Sequence, residues 1–303
     1  MKLGIIDIEK LYIGDTEVEK AYLGTNQVYS AEAPTHDYSN DYLTIVSLVD
    51  NNTIYWKLNF SNSSSWIRTI SISTDGGQTW TDKSSQYNGG TELTTLNTGN
   101  KLLIKGNNTE YSYPDGTYAN IFQSTGRFNV EGNIMSLCYG DNFIGQTILP
   151  TPSKTQYSNF GFLFYGCNVI DAGNLILPAT TLQNKCYYQM FYNCSSLTTA
   201  PALPATTLSN SCYSYMFYGC TSLTTAPELP ATTLVDYCYY QMLYNCSGLN
   251  YIKCLAVDKS ASSCLYNWTR GVSNSGTFVK DTNATWSSGR NGIPSGWTIV
   301  DAS

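Results

Sequence analysis

Charge is scarce in this sequence: Asp, Glu, Lys and Arg make up 13% of its 303 residues, and histidine occurs once, at His36. Phosphate binding needs clustered Lys and Arg. A net charge of -6 and a pI of about 4.7 therefore exclude nucleic acid as a partner. Acidity is concentrated early, where residues 1–37 set Lys2, Lys10 and Lys20 against Asp7, Glu9, Asp15, Glu17, Glu19, Glu32 and Asp37. Long apolar runs are missing too. No stretch approaches the roughly 20 residues that span a bilayer, so no membrane insertion is expected. At the N-terminus Asp7, Glu9, Lys10 and Asp15 interrupt any secretory signal core, which predicts synthesis in a cytoplasm without signal-peptide export.

The scarcity of histidine removes further chemistry. A nucleophilic triad needs a base beside its nucleophile, and His36 is far in sequence from every cysteine. Zinc sites need closely spaced ligands that converge, whereas the cysteines here are spread through each copy of a repeat. No catalytic residue, cofactor or metal ligand is expected. Glycan cleavage is the rival reading, since it needs only two carboxylates about 5 to 9 Å apart. Its candidates are Asp75, Asp82, Glu92, Glu110 and Asp115, which form no motif.

What the chain does have is repetition. Residues 177–202, 203–228 and 229–254 are copies of one 26-residue unit, and the first two agree at 19 positions. A degenerate copy precedes them from Leu149, with Phe164-Tyr165-Gly166-Cys167 answering Phe191-Tyr192-Asn193-Cys194, and another follows from Leu255 with Cys264 and Trp268. Atypical end copies are what a stacked array needs to close its core against water. Cys186, Cys212, Cys238 and Cys264 recur in step, as do Cys194, Cys220 and Cys246. That ladder predicts reduced, buried thiols packing as small apolar groups.

Within each copy Asn184, Asn210, Asp236 and Ser262 resemble helix N-caps. Asn193, Gly219, Asn245 and Gly271 suit the left-handed conformation past a helix end. A helix of about two turns is predicted between them, its Cys186 and Met190 facing inward. Leu197, Leu223 and Leu249 begin short extended stretches, stopped in the first two copies by Pro201 and Pro227, and stacking should align these into a parallel sheet. Upstream, residues 42–49, 53–60 and 66–73 read as strands, with a hairpin turn at Asp75-Gly76-Gly77. A shorter duplication, Lys10-Leu11-Tyr12-Ile13-Gly14 against Lys20-Ala21-Tyr22-Leu23-Gly24, suggests two small hairpins.

The expected fold is mixed α+β: a leucine-rich-repeat solenoid of short parallel strands and short helices, preceded by a small antiparallel β-sandwich-like domain. Its parts are an N-terminal β attachment segment and linker (1–37), the β domain (38–130), a solenoid cap with a degenerate repeat (131–176), three full repeats (177–254), and a degenerate repeat with a C-terminal cap (255–303).

Residues 190–201, Met-Phe-Tyr-Asn-Cys-Ser-Ser-Leu-Thr-Thr-Ala-Pro, resemble the repeat of the BspA-like leucine-rich-repeat proteins, with an aromatic, a small turn residue, Cys and Leu in that order. The resemblance covers about residues 149–280. The unit departs from that family in its 26-residue length and its Leu-Pro-Ala-Thr-Thr-Leu connection. It implies kinship with surface adhesins of gut anaerobes and with proteins of their phages and prophages. The Lys-x-Tyr-x-Gly duplication is similar to N-terminal segments of such phage-related proteins. Ser73 to Trp80 also fits the Asp-box of sialidases and related β proteins, where it is a hairpin-stabilising turn remote from the chemistry.

The expected function is therefore non-catalytic. The chain reads as a virion component, such as a fibre, tail or capsid-decorating protein, made in a host cytoplasm. It would bind other virion proteins through residues 1–37 and a host-surface glycan or protein through the repeats. A bacterial cell-surface adhesin and a glycan depolymerase are the alternatives, and homo-oligomerisation is left open. The candidate binding residues are Thr198, Thr199, Thr224 and Thr225 on the strand side and Tyr188, Tyr192, Tyr218, Tyr240 and Tyr244 on the predicted helical side. Hydroxyls and aromatic rings suit neutral glycans or protein surfaces. A purely structural tyrosine ladder fits the same residues.

Overall fold

The computed structural model describes residues 12–13, 16–17, 20–23, 26–30, 36–57, 67–85, 90–113 and 121–302. The chain forms two compact units, residues 1–37 and 38–303. In the first, the ten-residue duplication gives two antiparallel pairs. Strand β1 (Tyr12–Ile13) pairs with β2 (Thr16–Glu17), and β3 (Lys20–Leu23) with β4 (Asn26–Ser30), the latter with a register shift between Ala21 and Tyr22. Most of the linker expected before Asp37 lies outside the described residues.

The second unit opens with β5 (Leu43–Ser47), β6 (Asn52–Trp56), β7 (Thr69–Ser73), β8 (Thr81–Ser84), β9 (Thr91–Leu96), β10 (Lys101–Gly106), β11 (Phe122–Ser124) and β12 (Phe128–Asn133). One sheet has the order β13-β12-β5-β10-β7-β8, where β13 is Leu175–Ile176, and a second has the order β11-β6-β9. All pairings are antiparallel except β12 with β13. The alternation of β6, buried at Asn52, Ile54 and Trp56, is what a strand with one covered face requires. The β7–β8 hairpin turns at Asp75, whose carboxylate accepts bonds from Ser73 Oγ (2.7 Å) and the Thr79 amide (3.0 Å), while Trp80 Nε1 donates to the Gly77 carbonyl at 3.1 Å.

From residue 149 onward the chain winds in coils, and here the helical expectation fails. Among the described residues helix is confined to α1 (Ser136–Tyr139), the 3-10 turn Gly140–Asn142 that continues it, and a 3-10 turn at Tyr38–Asn40. The protein is β-rich, not an even mixture of helix and sheet. Where two helical turns were expected, alternate amides go different ways. Cys186, Tyr188, Met190, Tyr192 and Cys194 donate three residues back, to Gln183, Lys185, Tyr187, Gln189 and Phe191. Lys185, Tyr187, Gln189, Phe191 and Asn193 donate instead to Asn210, Cys212, Ser214, Met216 and Tyr218 in the next coil. The same alternation recurs from Ser211 to Gly219 and from Tyr237 to Asn245.

The physical reason is spacing. Helices pack with axes 8–10 Å apart, but these walls repeat much more closely: Tyr192 stacks on Tyr218 at 4.5 Å and Tyr218 on Tyr244 at 4.7 Å. That is about the 4.8 Å separation of paired strands, and only a wall one chain thick fits it. Asn184, Asn210, Asp236 and Ser262 therefore cap no helix. Asp236 Oδ1 accepts the Ser262 amide of the following coil at 2.8 Å, and Asn210 accepts the Lys185 amide on its carbonyl.

The turns bring left-handed residues every fourth position. Asn193, Gly219, Asn245 and Gly271 take positive φ as expected, and so do Lys185 and Gln189, Ser211 and Tyr215, Tyr237 and Gln241, Ser263 and Asn267. Such residues cost roughly 1–2 kcal/mol each, offset by coil-to-coil bonds each worth about 1 kcal/mol net and by side-chain burial. The wall that carries Thr199 and Thr225 is only partly a sheet. Asp171 bridges Thr199, and Thr225 bridges Tyr251, in parallel. Continuous strands form at the far end, where β14 (Tyr251–Cys254), β15 (Thr277–Lys280) and β16 (Thr298–Asp301) pair in parallel.

One apolar core runs through the whole second unit. Tyr111 and Phe160 begin a buried row that continues through Tyr187, Tyr213, Tyr239 and Trp268, with neighbouring ring centroids 5.7–6.4 Å apart. Phe122, Phe164, Phe191 and Phe217 form a second row. Both rows start in the antiparallel β part, and β12 supplies the first rung of the parallel ladder through Phe128 and Val169. Buried Glu110 fastens the same junction: it accepts from Arg68 at 2.8 Å, Thr109 at 2.7 Å and the Ser153 amide at 2.7 Å. Burial alone would raise its pKa, but these bonds and the Arg68 charge outweigh that and hold it below the ordinary carboxylate value.

The left-handed row alternates Gly166, Asn193, Gly219, Asn245 and Gly271 for a packing reason. A Cβ on Gly219 would fall on Asn193 Oδ1, and one on Gly271 on Asn245 Oδ1, whereas one on Gly166 meets nothing within 4 Å. Gly166→Ala should cost the backbone term alone, about 1 kcal/mol. Gly219→Ala should cost more, about 2–3 kcal/mol. Equal urea midpoints for the two variants would contradict this stacking.

Candidate functional site

The thiols are the most reactive side chains present. All ten cysteines are free and buried. Cys167, Cys194, Cys220 and Cys246 each place Sγ within 2.7–3.2 Å of a phenylalanine carbonyl in the preceding coil or strand, at Phe122, Phe164, Phe191 and Phe217. The thiol is thus a small core group that also donates to a buried carbonyl, which alanine could not do. Burial pushes the Cys194, Cys246 and Cys254 thiols up to about 12, and the Cys186 and Cys238 thiols higher still. Protonated thiols are neither nucleophiles nor metal ligands.

The carboxylates of the antiparallel β part are dispersed among structural duties. Asp75 holds its hairpin, and its hydrogen bonds with Thr79 and Ser73 keep its pKa well below the usual range. Asp82 accepts from Ser71 at 2.6 Å, and Glu110 is the buried clasp. Glu92 is exposed on β9, and Asp115 lies outside the described residues. Among the described residues no group of three or more His, Cys, Asp or Glu could hold a metal ion, and no helix is long and apolar enough to cross a membrane.

The tyrosine-bearing wall is the most organised surface. Tyr165, Tyr192, Tyr218 and Tyr244 stack with centroids 4.5–4.7 Å apart and planes within 3–7° of parallel. Phe162, Tyr188, Tyr215, Tyr240 and Tyr266 form a second row at 5.0–5.8 Å. Tyr192 and Tyr218 approach Tyr215 at 6.4 and 6.2 Å, joining the rows. All five tyrosines singled out in the sequence are half-buried in these rows. Tyr165, Tyr215 and Tyr266 complete them. Tyr215 escapes a strict reading of the repeat because it sits one position later than Tyr188 and Tyr240, whose equivalent is Ser214.

Stacking limits what the wall can do. Ring faces within the first row cover one another, so edges and hydroxyls, not faces, are turned outward. At its end the Tyr244 ring is approached by the Arg270 guanidinium at 5.5 Å. Thr198, Thr199, Thr224 and Thr225 are all exposed on the bridged wall, where the Thr198 amide and hydroxyl both donate to the Ile170 carbonyl, at 2.8 and 2.9 Å.

Each tyrosine row runs into a cleft in the last coil. Tyr266 lines one of about 500 Å³ with Trp286, Lys259, Ser263 and Asn291, and the Lys259 ammonium lies 4.7 Å over the Trp286 ring. Arg270 lines the other, of about 220 Å³, with Arg290, Gly271, Ser273 and Ser295. Neither cleft is evident from the repeat, because both are made by residues of the degenerate end copy and of the C-terminal cap. No protein-family model, curated protein or solved structure matches the chain.

Thiol titration checks the core assignment. All ten cysteines should react in denaturant without prior reduction. Native protein should react slower by on the order of a hundredfold or more, because thiolate forms only on opening. Prompt labelling of several thiols in the folded protein would place them outside the core.

Proposed function

We propose that this chain is a non-catalytic binding protein whose coils form a leucine-rich-repeat solenoid of the BspA-like kind, presenting a tyrosine and threonine surface for adhesion to a host-surface glycan or protein. The observation that carries the reading is the pair of tyrosine rows, held at fixed spacing on a backbone hydrogen-bonded from coil to coil. Binding surfaces favour tyrosine because a large amphipathic group is ordered at small entropic cost. Here the rings are already immobilised by stacking, so binding would order little more. The wall carries few charges: from residue 177 to 254 the acidic residues are Glu228 and Asp236 alone, and Glu228 pairs with Lys253 at 3.0 Å. A neutral, hydroxylated partner fits such a surface.

In this proposal residues 1–37 attach the protein to a larger assembly, a phage particle in the first instance, with a bacterial surface as the alternative setting. The two short hairpins and the acidity of that segment support a separate docking role.

On a glycan array, the full chain should bind a restricted set of saccharides. Tyr218→Ala and Thr224→Lys, made separately, should each weaken that binding at least about fivefold while leaving the unfolding midpoint of Thr224→Lys unchanged. Binding indifferent to both would remove the repeat wall from the proposal. Deleting residues 1–30 should leave glycan binding intact and abolish attachment to particles; retained attachment would count against the docking segment.

A further inference from the structure

The coil-to-coil ladder ends at an unused donor. At the left-handed position of successive coils the backbone amide donates to the carbonyl of the residue one step earlier in the next coil. Gly166 donates to Tyr192 at 2.6 Å, Asn193 to Tyr218 at 2.7 Å, Gly219 to Tyr244 at 2.8 Å and Asn245 to Arg270 at 2.7 Å. Gly271 is the next member, with φ of +81°, and its amide has no hydrogen-bond partner among the described residues. Gly271 itself lines a cleft together with Arg270 and Arg290.

That cleft is electrostatically unlike the rest of the molecule. Both arginines are exposed, neither has a carboxylate partner among the described residues, and no acidic side chain lines the cleft. In a chain of net charge -6, two unpaired guanidiniums beside an open amide form a local trap for negative charge. Arginine suits oxyanions because its planar fork donates two parallel bonds to them, and a main-chain amide adds a donor of fixed direction.

We infer that Gly271, Arg270 and Arg290 form a binding site for the oxyanion of an acidic saccharide, a carboxylate or a sulfate ester. The anion's oxygen takes the place that a coil carbonyl fills in every earlier repeat, and the two guanidiniums supply the charge. Ser273 and Ser295 offer hydroxyls beside it. The uncharged remainder of the saccharide lies back along the row ending at Tyr244, whose ring Arg270 already contacts. This rests on the adhesion reading for the choice of a saccharide, and it adds where the acidic group sits.

Sialyllactose, sulfated lactose and lactose separate the sources of the anion. Titrated into the full chain at low ionic strength, at least one acidic sugar should bind about tenfold or more tightly than lactose, with the advantage shrinking as salt is added. The better acidic sugar identifies carboxylate or sulfate as the preferred group. Arg270→Gln and Arg290→Gln should each remove most of that advantage, whereas Lys83→Gln, in the hairpin, should keep it. In amide-resolved NMR the Gly271 resonance should shift on adding that sugar, a response that does not depend on any variant folding. Equal binding of all three sugars, or an unmoved Gly271 amide, overturns the site. If binding is equal but Tyr218→Ala still weakens it, adhesion stands and only the oxyanion site falls. If acidic sugars bind through the arginines while Tyr218→Ala has no effect, the oxyanion site stands and the tyrosine wall falls.

Discussion

Repeat spacing governs this molecule. Each coil lies about one strand separation, 4.8 Å, from the next, and this holds on the tyrosine wall as well as on the bridged wall. A wall repeating at that distance cannot be built of helices, whose diameter with side chains is about 10 Å. It must be a single layer of chain whose donors are shared between its own turns and its neighbour, as the alternation of amides from Lys185 to Cys194 displays. The left-handed residues, the stacked rings and the in-register thiols follow from that layer. Identical side chains must meet face to face, and the chain must turn back every four residues to present alternate amides along the stack.

This arrangement also explains residue choice that composition leaves opaque. Cysteine at positions 194, 220 and 246 fills a small core volume and satisfies a carbonyl of the previous coil. Glycine follows asparagine at 219 and 271 because Asn193 and Asn245 reach over the neighbour that lacks a Cβ. The antiparallel β part closes the near end of the stack by contributing Tyr111, Phe122 and β12 to the same rows and ladder. The far end is closed by Trp268 and Trp286, stacked at 5.8 Å, with Trp297 donating its indole N–H to the Ser273 carbonyl at 2.8 Å.

Much of this was legible in the sequence because repetition writes the same environment several times over. The buried thiol ladders, the left-handed residues at 193, 219, 245 and 271, the β7–β8 hairpin and the paired N-terminal strands could all be read that way. The expected helix between Asn184 and Asn193 was misread for an identifiable reason. A Cys and Met four residues apart on an apolar face also suit a run of turns whose residues point inward two at a time, as Cys186, Tyr187, Met190 and Phe191 do. Only the separation between neighbouring coils distinguishes the two, and no single copy contains it. The tyrosine rows were partly legible, with Tyr215 hidden by its one-residue offset, whereas the two end clefts depend on the irregular last copy and left no pattern to recognise.

The claim on which all of this stands is that alternate amides cross between coils, and scalar couplings across hydrogen bonds observe that directly. In isotope-labelled protein the Phe191 amide should correlate with the Met216 carbonyl carbon, and the Phe217 amide with that of Met242. Correlation of the Phe191 amide with the Tyr187 carbonyl four residues back, the signature of an α-helix, would contradict the account.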